Sequence, residues 1–142
     1  MANVLQNYFV YPLRVHIEDT DFGGHVYHSQ YLNFMERARS EWVDELGMDM
    51  AWQQLAGILF VVHSANIQFL RPAKVHDRVE VISVIKALGR ASIVFDQHLR
   101  SATAPDKILC KAEIKIACVD VNMRPRAIPE VATLAEIRRT IT

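Results

Sequence analysis

The sequence predicts an α+β fold in which one antiparallel sheet wraps one long helix. Three observations predict it. Apolar residues recur at helical spacing from Tyr31 to Leu46, and four stretches of alternating residues follow, bounded by glycine, proline or charged turns. The chain, at 142 residues with 51% hydrophobic and 23% charged composition, suits one domain, residues 1–142, with a substantial core.

The first element is read as a strand. Arg14, His16 and Glu18 alternate with Leu13, Val15 and Ile17, which gives one buried face up to the turn at Asp19 to Gly24. Gly23 and Gly24 permit positive backbone angles and close approach of a ligand to the main chain. A helix starting just beyond them directs its free N–H groups back at the turn, so a carboxylate and a cluster of donors share one small volume.

Along that helix Tyr31, Phe34, Met35, Ala38 and Trp42 fall on one side, and Leu32, Val43 and Leu46 widen the arc to roughly half the circumference, the mark of an enclosed helix. Asn33, Arg37, Ser40 and Glu41 lie opposite. Arg39 falls inside the arc and needs a partner or a route to water; Glu36 lies at its edge, placed for an ion pair with Arg39.

Gly47 is a stop signal, and a short second helix fits the segment before Gly57. Val61, His63, Ala65, Ile67 and Phe69 then alternate with polar or smaller neighbours in a strand that ends at Arg71-Pro72, with His63 on the apolar side. Val79–Lys86 and Ala91–Arg100, joined through Leu88-Gly89-Arg90, form a meander with the long strand from Ile108 to Cys118. A proline-containing loop spans Asn122–Pro129, and Glu130–Thr140 fits a terminal helix. Cys110 and Cys118 on one strand stand about 26 Å apart at ~3.3 Å per residue, beyond disulfide reach, and read as small core residues.

Composition removes several function classes. Sixteen basic and sixteen acidic residues give a net charge of zero, which supplies no field for nucleic acid or an anionic membrane. The N-terminus lacks a basic region followed by an apolar one, and no run approaches the ~18 apolar residues of a membrane span, so a cytoplasmic protein is expected. A sheet around one helix leaves its edges open, and a homodimer joined through them is the expected remedy. His25 and His28 with Asp21 suggest a metal, but H-x-x-H on a turn lacks further ligands at a recognisable spacing, and none is assigned.

The run EDTDFGGHVYHSQYLNFMERARSEW, with FVVHSANIQFLRPAKVHDRVEV and MRPRAIP, resembles the hotdog-fold acyl-CoA thioesterases of the 4-hydroxybenzoyl-CoA thioesterase type, in their YbgC-like branch. The resemblance spans nearly the whole chain, and the D-T-D-x-G-G-x-V-Y-H opening is its most specific part. It implies a hotdog fold, a five- to six-stranded antiparallel sheet around one central helix. The implied reaction is hydrolysis of acyl-CoA to free acid and CoA, without a cofactor.

Asp21 matches the family's catalytic carboxylate, as nucleophile or as general base. The main-chain N–H that polarises the thioester carbonyl maps to His28 or its immediate neighbours, and the His28 side chain is a second catalytic candidate. Tyr27, Gly24, His25 and His63 are implied pocket residues. Glu36 joins them because another hotdog branch places its carboxylate on the central helix. Asp19 reads as the residue that closes the turn. His25 replaces a commonly aliphatic residue and His63 a residue usually basic, which bears on pocket shape. Arg71, Lys74, Arg90, Arg124 and Arg126 are candidates for the CoA phosphates.

The implied site forms across a dimer interface, with pairing into a tetramer left open and acyl carrier protein a further candidate partner. The competing readings are a hotdog dehydratase, which needs a different acid/base set, and a non-catalytic acyl-CoA or acyl-carrier-protein binding module or envelope-complex adaptor.

Overall fold

Alternation builds the sheet and helical periodicity fills it. The computed structural model describes residues 6–141. Residues 1–5, the start of the segment read above as lacking a signal peptide, and residue 142 lie outside the described residues. Strands β1 (Phe9–Arg14), β2 (Leu59–Phe69), β3 (Arg78–Leu88), β4 (Ser92–Ser101) and β5 (Ile108–Val119) form one antiparallel sheet in the order β1-β3-β4-β5-β2. Helix α1 (Gln30–Glu45) packs on its inner face, α2 (Met50–Ala56) follows, and α3 (Ala132–Ile141) closes one end. This is the hotdog architecture, with five strands.

Paired residues share a face, so the inner side of the sheet is legible from register. Val81, Ile85, Phe95, Leu99, Cys110 and Ile114 are buried there, against Phe34, Met35, Ala38 and Trp42 of α1. Burying each large side chain contributes roughly 1.5–3 kcal/mol. Trp42 also lies 6.1 Å from the Phe9 ring and 5.9 Å from that of Phe95, joining β1, α1 and β4. Thr133 donates to the Leu46 carbonyl at 2.6 Å, so α3 satisfies the end of α1. Cys110 and Cys118 are buried free thiols on β5, and burial pushes Cys110 up to about 12.

Several expectations need correction. The first strand ends at Arg14, and Ile17–Asp19 is a 3-10 turn that leaves Ile17 73% exposed. The cause is local: the Asp19 carboxylate accepts the His16 N–H at 2.9 Å and Thr20 donates to the Ile17 carbonyl at 2.7 Å, bonds that compete with a ladder. His63 does not sit on an apolar face. The β2–β5 register slips between Val62 and Ser64, which makes His63 the exposed extra residue of a bulge. Phe60 and Val62, rather than Val61, therefore share the face of Ala65, Ile67 and Phe69.

Helix α1 is covered on one side only. Leu32 is exposed along with Glu36, Arg37, Ser40 and Glu41. No ion pair joins Arg39 to Glu36 among the described residues; the buried guanidinium donates instead to Gln97 Oε1 at 2.8 Å. Gln97 in turn donates to the Met35 carbonyl at 3.0 Å and to Ser83 Oγ at 2.9 Å. Desolvation lowers the Arg39 pKa, and the Glu36 charge offsets part of that.

Candidate active site

The turn between β1 and α1 is held by its own polar atoms. Asp21 Oδ1 accepts the Gly23 N–H at 2.9 Å, the Asp21 N–H donates to the His25 carbonyl at 2.8 Å, and Gly24 N–H returns to the Asp21 carbonyl at 3.1 Å. Gly24 has φ +75°, which favours glycine, whereas Gly23 does not use that freedom. Asp21 is exposed, and among the described residues its second carboxylate oxygen takes no hydrogen bond.

Asp19 has the opposite fate. It is 5% exposed, and it accepts from the His16 N–H through Oδ2 and from Gln30 Nε2 through Oδ1 at 2.8 Å. Its carbonyl accepts the Tyr27 N–H at 3.0 Å. One buried carboxylate thus ties the turn to the first residue of α1. The other, that of Asp21, is exposed to solvent.

The turn is fastened to the loop before β3. His25 bridges Lys74, Val26 N–H donates to the Ala73 carbonyl at 2.9 Å, and Val75 N–H donates to Gly24 at 2.9 Å. The Tyr31 hydroxyl accepts the Ala73 N–H at 3.0 Å. Burial raises the Tyr31 phenol pKa, opposed by that bond and assisted by electrostatic interaction with Cys110, Asp21 and Asp77.

Helix α1 begins two residues after His28, with Ser29 as its cap, and the Ser29 side chain makes no capping bond. Among the described residues no acceptor takes the main-chain N–H of His28 or of Ser29, and the positive helix end reinforces both donors. The exposed His28 ring lies 4.4 Å from the Tyr27 ring and 6.4 Å from that of Phe69; Phe69 in turn is 5.5 Å from Tyr31.

Asp21, Gly24, His25, Tyr27 and His28 are therefore brought to one neighbourhood. Glu36 and His63 are not. Glu36 stands eight residues along α1 from His28, about 12 Å at 1.5 Å per residue, and His63 is six residues from Phe69 along β2, about 20 Å. Glu36 instead lines a recess of about 410 Å³ with Arg39, Val43, Met50, Phe60 and Val62, between α1, α2 and the open edge of β2. Neither Asp21 nor His28 lines that recess. The turn is exposed to solvent, and its His28 end lies beside Phe69, the last residue of β2.

Sequence reasoning missed Gln30, Tyr31 and Phe69 as parts of this site. Tyr31 read there as a core position of the helix, and Gln30 drew no reading. Phe69 is 41 positions from His28, and no local pattern links the two. Among the described residues no group of three or more His, Cys, Asp or Glu side chains is arranged to hold a metal ion, and no helix is long and apolar enough to cross a membrane.

Residues 15–136 match the family model described as the thioesterase-like superfamily. The chain is 41% identical over 132 residues to the acyl-CoA thioesterase YbgC of Haemophilus influenzae, covering 89% of this chain and 93% of that one. It is 36% identical over 132 residues to the acyl-CoA thioester hydrolase YbgC of Escherichia coli O6:H1, covering 92% and 96%. A probable thioesterase from Bartonella henselae superposes with a TM-score of 0.78 at 31% identity, covering 86% of this chain and 99% of that one. By sequence along most of its length and by fold, the chain belongs to the thioesterase-like superfamily.

Proposed function

We propose that this protein hydrolyses acyl-CoA thioesters to the free acid and CoA, with Asp21 as the reacting carboxylate. The observation that carries the reading is the pairing of an exposed, turn-held Asp21 with unclaimed main-chain N–H groups at His28 and Ser29, in a family of thioester hydrolases. The relatives in Haemophilus influenzae and Escherichia coli, named for acyl-CoA hydrolysis, support the substrate class.

Two routes fit the geometry. In one, Asp21 attacks the thioester carbon, CoA leaves as its thiolate, and water cleaves the resulting mixed anhydride. In the other, Asp21 takes a proton from the water that attacks directly. Both place developing negative charge on the thioester oxygen, where a main-chain donor is worth ~3 kcal/mol of barrier. Tyr27, Gly24 and His25 border the reacting group, and the His28 ring orients it.

The acyl group needs a second wall, which a second copy supplies. Antiparallel pairing of β2 with itself about Ser64, its midpoint, sets the Phe60 end of one copy beside the Phe69 end of the other. The recess lined by Glu36, Val43 and Phe60 then opens toward the partner's turn, with His63 near the junction. A homodimer is thus the acting unit.

Asp21→Asn tests the assignment in an assay that traps the released thiol from a panel of acyl-CoAs. Turnover is expected to fall by ~10²–10⁴-fold with the unfolding midpoint unchanged, because Asp21 is exposed. Near-normal turnover would remove Asp21 from the chemistry, and saturable binding of every acyl-CoA by the unmodified protein without thiol release would make it a binding module.

A further inference from the structure

Several large apolar side chains that the fold leaves exposed gather at the two ends of β2. Phe69 closes one end, beside the His28 ring and so beside Tyr27 and the turn that carries Phe22. Leu59 and Val62 stand at the other end, with Met50 on α2 just before the strand. A single exposed apolar residue needs no explanation. Phe22 is set apart because it directly follows Asp21 and is fully exposed, more so than any other large apolar side chain among the described residues.

The turn has no use of its own for that ring. Its hydrogen bonds come from the Asp21 carboxylate and from the main chain of Asp21, Gly23, Gly24 and His25, and among the described residues Phe22 makes none of them and stacks on no other ring. Positions of this kind usually hold small or polar residues. The same bonds fix the turn, and the Val26 and Val75 N–H bonds to the Ala73 and Gly24 carbonyls fasten it to the loop before β3. The ring is therefore held outward on a fixed support.

The two apolar sets are complementary under the pairing of β2 about Ser64 described above. A two-fold axis there sets the Phe69 end of each copy against the Leu59 end of the other. Phe22 of one copy then faces the mouth of its partner's recess, where Met50 and Val62 are exposed at the rim and Ile93, Phe95 and Ile116 are buried at the floor. We propose that Phe22 is a specificity-determining residue that acts across the dimer, its ring lying over the acyl carbons next to the thioester as the chain runs from Asp21 into the partner's recess. The proposal rests on the acyl-CoA reading above and deepens it: longer apolar acyl groups are favoured over acetyl, because each methylene buried against the ring adds to binding.

Phe22→Ala and Phe22→Leu test it at a position that makes no hydrogen bond of the turn. In steady-state kinetics the ratio of kcat/KM for octanoyl-CoA to that for acetyl-CoA should fall roughly tenfold in Phe22→Ala, the worth of about two buried methylenes, and be largely restored in Phe22→Leu. On the Asp21→Asn background, calorimetry should show octanoyl-CoA binding weakened by a similar factor relative to free CoA. That measurement needs no turnover, so failure of Phe22 is separable from failure of Asp21. Action across the dimer is read by mixing Asp21→Asn with Val62→Trp, which plugs the recess. Each alone should be nearly inactive on octanoyl-CoA, and exchange of copies should restore about a quarter of the parent turnover, since half of the dimers then join an intact Asp21 and Phe22 to an intact partner recess at one of their two sites. An unchanged ratio, an equal loss for both acyl groups, or no recovery on mixing while sedimentation shows dimers would overturn it.

Discussion

Two carboxylates two positions apart do different work because their surroundings differ. Asp19 uses both oxygens on His16 and Gln30 and is almost fully buried, whereas Asp21 accepts one bond from Gly23 and faces water. Removing Asp19 leaves a half-buried amide and a half-buried main-chain donor without acceptors, each at up to about 1–3 kcal/mol. Asp19→Ala should therefore lower the urea midpoint measurably and depress kcat, because the turn loses its tie to α1. Asp21→Asn should change kcat alone. Equal unfolding curves for Asp19→Ala and the unmodified chain would contradict the assignment. The role of Asp19 as the turn's closing residue was readable from its position; its partner Gln30, 11 positions on, required the fold.

At the scale of elements, period-two patterns in β3, β4 and β5 and the helical stripe of α1 were legible because each buries one face and only one. Legibility failed where a local polar bond redirected the chain, as at Ile17, or where one extra residue shifted the phase, as at His63. Neither event leaves a mark on hydrophobic spacing. Arg39 shows a third kind of limit. Its position inside the apolar arc demanded a partner, and the nearest candidate in sequence was Glu36. The structure supplies Gln97, 58 positions away on β4, which also binds Ser83 of β3 and the Met35 carbonyl. One amide thereby joins α1, β3 and β4. Gln97→Leu fills similar space but strands the guanidinium and the serine hydroxyl, so a loss of ~2–4 kcal/mol is expected in chemical denaturation. A variant as stable as the parent would show that water reaches Arg39 freely.

For the molecule as a whole, stability against pH and assembly are separable. On the outer face of the sheet, desolvation, and then the nearby Arg100 charge, hold the His98 pKa below its ordinary 6.5. Lys111 stands opposite on β5, and Asp96 and Glu113 border the same recess. Above that ordinary value His98 is neutral in both states and costs nothing. As pH falls through 6.5 the unfolded chain takes the proton first, so stability declines until the folded state's lower pKa is passed. Thermal midpoints measured between pH 7.5 and 5 should fall less for His98→Gln than for the parent.

Assembly depends on a different surface. β2 is an 11-residue edge strand bonded, among the described residues, to β5 alone, with Val62 56% and Phe69 50% exposed. Long apolar edges of this kind attract another strand unless blunted, and β2 carries no lysine or proline between Leu59 and Phe69 to do so. If two copies pair about its midpoint, Ser64→Lys sets like charges face to face, and opposed like charges destabilise a ladder. Sedimentation equilibrium should then shift from a dimer to a monomer with the far-ultraviolet circular dichroism unchanged, and acyl-CoA turnover should fall with the dimer fraction. A fully active monomer would show that one copy suffices to wall the acyl group and that the groove beside β2 serves another purpose.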